Sequence, residues 1–130
     1  MVSQLNSGKP AREQGYEMLQ YVAGTISADS GGATQAIKIG SISSGSVITS
    51  AISRVSTTIT GGTPVLTLGT SSGGTQIQGT MSETAGSEQV FPIAGLTNPL
   101  TADIDVWLSI TGGATTGTAS VALFFIKPVA

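Results

Sequence analysis

The stretch from residue 103 to 128 reads DIDVWLSIT, then GGATTG, then TASVALFFIKP, and it leaves little room for a helix. In its first part Ile104, Val106, Leu108 and Ile110 fall on one face, while Asp103, Asp105, Trp107 and Ser109 fall on the other. That period of two marks a half-buried strand, because successive side chains of an extended chain point to opposite faces. The last part is apolar on both faces, with Val121, Leu123 and Phe125 against Ala122, Phe124 and Ile126. Such a strand needs cover on both sides, so it belongs at the centre of a sheet or beneath another subunit.

The chain upstream follows the same grammar of short apolar runs and turn residues. QAIKIGSI (35–42) sets Ile37 and Ile39 inward against Ala36, Lys38 and Gly40, and SSGS (43–46) turns the chain. VITSAISRVSTTIT (47–60) is too long for one alternation: Val47, Ala51 and Val55 share a face, while Ile48 and Ile52 share the other. A bulge or bend, or burial on both sides, is expected there. Gly61-Gly62-Thr63-Pro64 reverses the chain into a strand with Leu66 and Leu68 inward and Val65, Thr67 and Gly69 outward. TQIQGTM (75–81) and EQVFPI (88–93) are weaker strands, and Pro92 confines the second to an edge or an end. With residues 22–27 the count is about eight, which predicts an all-β antiparallel β-sandwich of jelly-roll type over 22–130.

Residues 1–21, MVSQLNSGKPAREQGYEMLQY, are different in kind. They hold four of the 12 charged residues and both tyrosines, without strict alternation or a long helical repeat. A short helical turn over 11–19 is compatible with Pro10 and the helix formers that follow it, although Gly15 opposes it. The expectation is an extended N-terminal arm that is ordered by a partner.

Composition narrows the chemistry. The 130 residues include 18 Gly, 17 Ser and 18 Thr, with neither cysteine nor histidine. Disulfides, zinc–thiolate sites, a cysteine nucleophile and the commonest general base are therefore excluded, and no cofactor or metal is implied. The five basic residues, Lys9, Arg12, Lys38, Arg54 and Lys127, are scattered and the net charge is −2, which argues against nucleic acid. No apolar run reaches the roughly 18 to 20 residues that span a bilayer, and the polar start lacks the layout of a signal peptide. Synthesis in the cytoplasm and no membrane partner are expected. A surface with so little charge has weak electrostatic protection against association, so neighbours should cover much of it.

Candidate sites are few. The glycines of GSISSGS (40–46) imitate a phosphate loop, but Ser46 stands where a lysine is needed and no helix follows. Asp103 and Asp105 lie about 6.6 Å apart along one strand face, a spacing that admits a paired-carboxylate or calcium site but suits better a solvated outer face that also discourages edge pairing. A hydrolase would need one of them opposite another carboxylate, such as Glu83 or Glu88, in a cleft. Trp107, the single tryptophan, serves as a stacking platform for a sugar or as an interface anchor if exposed, and as a covered surface residue if a loop lies over it. Arg12, Tyr16, Met18, Tyr21, Trp107 and Phe124 are the interface candidates, since aromatic and arginine side chains dominate interface energetics.

The run IKIGSISSGSVITSAISRVSTTITGGTPVLTLGTSS (37–72), followed by DIDVWLSITGGATTGTASVALFFIKP (103–128), resembles small structural proteins of tailed bacteriophages. The motifs are an I-x-I-G-x-I-x-x-G-x-V-I strand–turn–strand, a T-x-x-L-x-L-G-T strand and a final T-G-x-A-x-V-x-x-x-F strand. This is the pattern of head decoration (cement) and head-fibre-base proteins with a β-sandwich or jelly-roll body. The resemblance covers about 90 residues and implies a virion surface protein without catalytic residues. It further implies contact with the major capsid protein and with copies of itself, as a dimer or trimer. The alternative is a carbohydrate-binding module or adhesin that holds a glycan on the Trp107 face.

Overall fold

In the computed structural model, residues 19–86, 88–92, 96 and 99–127 are described, and they form eight strands. These are β1 (Gln20–Ser27), β2 (Gln35–Ile42), β3 (Val47–Thr60), β4 (Val65–Gly69), β5 (Gln78–Met81), β6 (Glu88–Pro92), β7 (Ile104–Thr111) and β8 (Thr116–Ile126). They make two four-stranded sheets with the orders β1-β8-β3-β6 and β2-β7-β4-β5. Every neighbouring pair is antiparallel. The chain crosses between the sheets at nearly every connection, which is the wiring of a jelly roll.

The inward faces meet in one apolar core. From the first sheet it takes Ile26, Ile48, Ala51, Val55, Ala119, Val121, Leu123 and Phe125, and from the second Ile42, Leu66, Leu68, Met81, Val106, Leu108 and Ile110. Both strands of the 103–128 stretch sit at sheet centres, β7 between β2 and β4 and β8 between β1 and β3. β6, the strand that ends on Pro92, lies at an edge, where a missing backbone donor breaks no ladder.

Irregular pairing and a covering loop set three departures from simple alternation. β3 slips against β8 between Ile48 and Ser50 and again between Val55 and Thr57, so Ile48, Ala51 and Val55 all reach the core and Ile52 turns outward. In β2, Ile39 is the extra residue of a bulge between Lys38 and Gly40. Gly40 was expected outward, but the bulge brings it opposite buried Val106 and against Val22, where a β-carbon would overlap the valine. Gly24 is pressed in the same way by Ile39, so these two glycines let the β1 and β2 edges close on each other. In β4, Thr67 and Gly69 point away from the core yet are buried: Gly74 packs on Gly69, and the backbone N–H of Gly73 donates to Ser109 Oγ at 2.9 Å. The segment from 70 to 76 thus folds over the outer face of the second sheet.

The sandwich has two unlike ends. At one, the β2–β3 turn is tied to the segment before β7 by Gly45 N–H to Leu100 O (2.7 Å) and Leu100 N–H to Ser46 O (2.9 Å). At the other, the β3–β4 and β7–β8 turns hold each other by Thr63 N–H to Gly112 O (2.8 Å) and Thr115 N–H to Thr60 O (2.7 Å). The first strand starts at Gln20, so Gln20 and Tyr21, expected in the arm, are sheet residues paired with Phe125 and Phe124.

Candidate interaction surface

The outer face of the first sheet carries the exposed apolar residues that the core does not use. Cross-strand register arranges them in rows. One row is Tyr21, Phe124 and Ser50, the next Ala23, Ala122, Ile52 and Val90, and the third Thr25, Ser120, Arg54 and Glu88. Tyr21 and Val90 are 66% and 72% exposed, and with Ile52 at 38% they make an apolar patch on one sheet face. The Tyr21 and Phe124 rings pack at 6.1 Å and 49°, within the range of a favourable tilted aromatic pair. In the third row the hydroxyls of Thr25 and Ser120 lie 2.9 Å apart, and Arg54 Nε is 3.6 Å from Glu88 Oε2. Both members of that ion pair are mostly exposed, so it adds little to monomer stability.

The second sheet presents a polar outer face. Trp107 is half-buried there, between Lys38 and Gly69 in the ladder, and it is the only aromatic residue in the four strands of that sheet. It therefore lies on the opposite side of the sandwich from Tyr21 and Phe124. The two predicted aspartates are both engaged locally. Asp103 Oδ1 accepts the Ser44 backbone N–H at 2.8 Å, and Asp105 Oδ1 accepts the Ser41 hydroxyl at 2.9 Å and the Lys38 ammonium at 3.2 Å. β7 is a central strand, so the edge-guarding role read for these aspartates from sequence does not hold; they pin β2 and its turn instead. Glu88 is on the other sheet with Arg54, and among the described residues no three carboxylates gather as a metal group. The GSISSGS segment is strand and turn, with Gly45 at φ 84° and no helix beyond it. Arg12, Tyr16 and Met18 lie outside the described residues.

The Asp105 carboxyl is held below its ordinary pKa, first by the Ser41 hydroxyl and then by Lys38. A carboxylate whose folded pKa is depressed contributes stability above the unfolded value, near 4, and loses it as pH falls through the folded value. The difference in melting temperature between the native chain and Asp105→Asn should therefore shrink from about pH 7 to about pH 2. A difference that stays flat across that range counts against the assignment.

No family model matches the chain, and no curated protein matches it in sequence. Solved structures do match in shape. A chain described as part of the cyanophage Pam1 capsid asymmetric unit superposes with a TM-score of 0.62 at 18% identity, over 93% of this chain and 92% of that one. A chain of the capsid of Ralstonia phage GP4 superposes with a TM-score of 0.56 at 18% identity, over 85% and 86%. Both come from phage capsids. At this identity the likeness establishes a shared fold and nothing further. Sequence reasoning named Tyr21 and Phe124 but missed Ala23, Ile52, Ala122 and Val90. Those four come from four strands, and only the register makes them one row.

Proposed function

We propose that this chain is a virion structural protein, a cement or decoration protein that sits on the outside of a phage head and bridges neighbouring major capsid protein subunits. The observation that carries the reading is the likeness, over 85% and 93% of the chain, to chains of two phage capsids. The physical chemistry agrees. A protein that braces a shell needs area, complementarity and many simultaneous contacts rather than reactive groups, and multivalent attachment multiplies weak contacts. The surface supplies exposed apolar rows, while Asp103, Asp105 and Glu88 are tied to Ser44, to Ser41 and Lys38, and to Arg54. On this reading the chain performs binding and no chemical transformation.

The arm, with Arg12, Tyr16 and Met18, lies along the shell in this proposal, and the sandwich associates with its own copies. The glycan alternative draws no support from Trp107, which is half-buried and without a second aromatic in its sheet. The test is attachment to purified shells that lack the protein. The full chain should saturate them and raise their resistance to heat. Removal of residues 1–18, which leaves β1 whole, should reduce occupancy by at least about tenfold, the scale on which linked contacts act. A full chain that does not attach overturns the cement reading; unchanged occupancy after truncation overturns only the role of the arm.

A further inference from the structure

The outer face of the first sheet is large on one half and small on the other. On β3 and β6 it projects Ile52 and Val90; at the same level on β8 and β1 it has only Ala122 and Ala23. Those alanines, with Thr25 and Ser120, line a shallow hollow walled on one side by Ile52 and Arg54. One row toward the start of β1 the order inverts: Tyr21 and Phe124 are the bulky residues and Ser50 is the small one. Small residues lying beside large ones at equal height leave steps in the surface, and the steps match one another.

We infer that this face is the surface on which a second copy of the chain docks, related by a two-fold axis that runs parallel to the strands between β8 and β3. That operation lays β3 over β8 and β6 over β1 of the other copy. Ile52 then enters the hollow over Ala122 of the second copy, Val90 covers its Ala23, and Phe124 covers its Ser50. Arg54 and Glu88 come over the hydroxyls of Ser120 and Thr25, so no like charges oppose each other. A two-fold interface must be self-complementary in this sense, because each patch meets its own image.

Area fits a weak, reversible pairing. Three strands eight residues long and β6 with its five, about 4.8 Å apart at about 3.3 Å per residue, cover roughly 460 Å² on each copy. Twice that value, about 900 Å², lies in the size class of transient interfaces. Packing sheet on sheet at about 10 Å leaves room for side chains of this size and no space for a further layer. The net charge of −2 on 130 residues offers little long-range repulsion between copies.

The inference rests on the reading that the chain works by association, and it is tested in the absence of shells. Light scattering and sedimentation on the full chain should give a dimer. Val90→Asp and Ala23→Lys, both at exposed positions, should each weaken the dimer by about tenfold or more, with far-UV circular dichroism and the melt reporting the fold. Within one chain the two positions lie on opposite edges of the sheet, about 14 Å apart by strand spacing, so they cannot pair intramolecularly. Across the proposed axis they meet. Mixing the two variants should therefore restore association to within about threefold of the native value, and so should the reversed pair, Val90→Lys with Ala23→Asp. A monomeric or trimeric native chain, variants that associate as tightly as the native chain, or mixtures no better than their components would each overturn the inference. A dimer that does not attach to shells would leave it standing while removing the cement reading, and attachment as a monomer would do the reverse.

Discussion

Leu108→Ala is expected to destabilise the isolated chain by about 3 to 5 kcal/mol, the upper part of the range for a leucine removed from a closed core. Leu108 is fully buried on the central strand β7, with Ile37 on one side of it in the ladder and Leu68 on the other. Both neighbours are paired with it across the sheet, and a strand with partners on both sides cannot shift to fill the space left behind. The cost is thus the lost transfer energy together with most of a cavity. Since a domain of this kind holds about 5 to 15 kcal/mol in total, one such change removes a large share of it. Denaturant unfolding monitored at Trp107, on the same strand, would read the midpoint directly. Thr57→Ala, exposed on β3, should stay within about 0.5 kcal/mol of the native chain. A Leu108→Ala loss below about 1.5 kcal/mol would mean that the two sheets do not enclose the core described here.

The inward face of β7 was legible in the sequence. Ile104, Val106, Leu108 and Ile110 repeat every second residue and became the inward face of β7, because alternation along an extended chain is a local property that any sandwich must respect. The doubly apolar run at Val121–Ile126 called for a sheet centre or cover by another subunit, and β8 does have partners on both sides. Pro92, which lacks a backbone donor, confined its strand to an edge or an end, and β6 lies at an edge and ends on Pro92.

Where local pattern failed, the deciding contact came from far along the chain. Gly40 continues the alternation of QAIKIGSI as an outward residue, but a bulge at Ile39 turns it toward Val22, and nothing in residues 35–42 encodes the valine that takes the place of its side chain. Thr67 and Ser109 are polar and outward in register, yet both are buried, since the 70–76 segment folds back across them through the Gly73 N–H. The interaction surface was the least readable part. Ala23 and Ala122 are unremarkable residues in sequence; they matter only because 99 positions separate them while one ladder rung joins them, and because Ile52 and Val90 extend the same row. Trp107, the most conspicuous residue in the sequence, went to the other face.

Gly112→Ala probes the end of the sandwich remote from that row, where stability depends on backbone lying against backbone. Gly112 has φ 87°, and a β-carbon placed on it would collide with the carbonyl of Thr63, whose own N–H donates to Gly112 O at 2.8 Å. Two penalties combine: about 1 to 2 kcal/mol for a β-carbon in the left-handed region, and about 1 kcal/mol more once the β3–β4 and β7–β8 turns separate and that hydrogen bond is strained. The expected loss is about 2 to 3 kcal/mol. Gly113 supplies the control from the next position in the chain. Its φ is 82°, but the nearest atom to a β-carbon there is Gly62 Cα at 3.9 Å, so Gly113→Ala should show the backbone penalty alone. Equal losses for the two variants would mean that the turns do not press on each other. A larger loss at 112, with dimerisation of the remaining folded protein unchanged, would separate what holds this jelly roll shut from the face that it offers to other molecules.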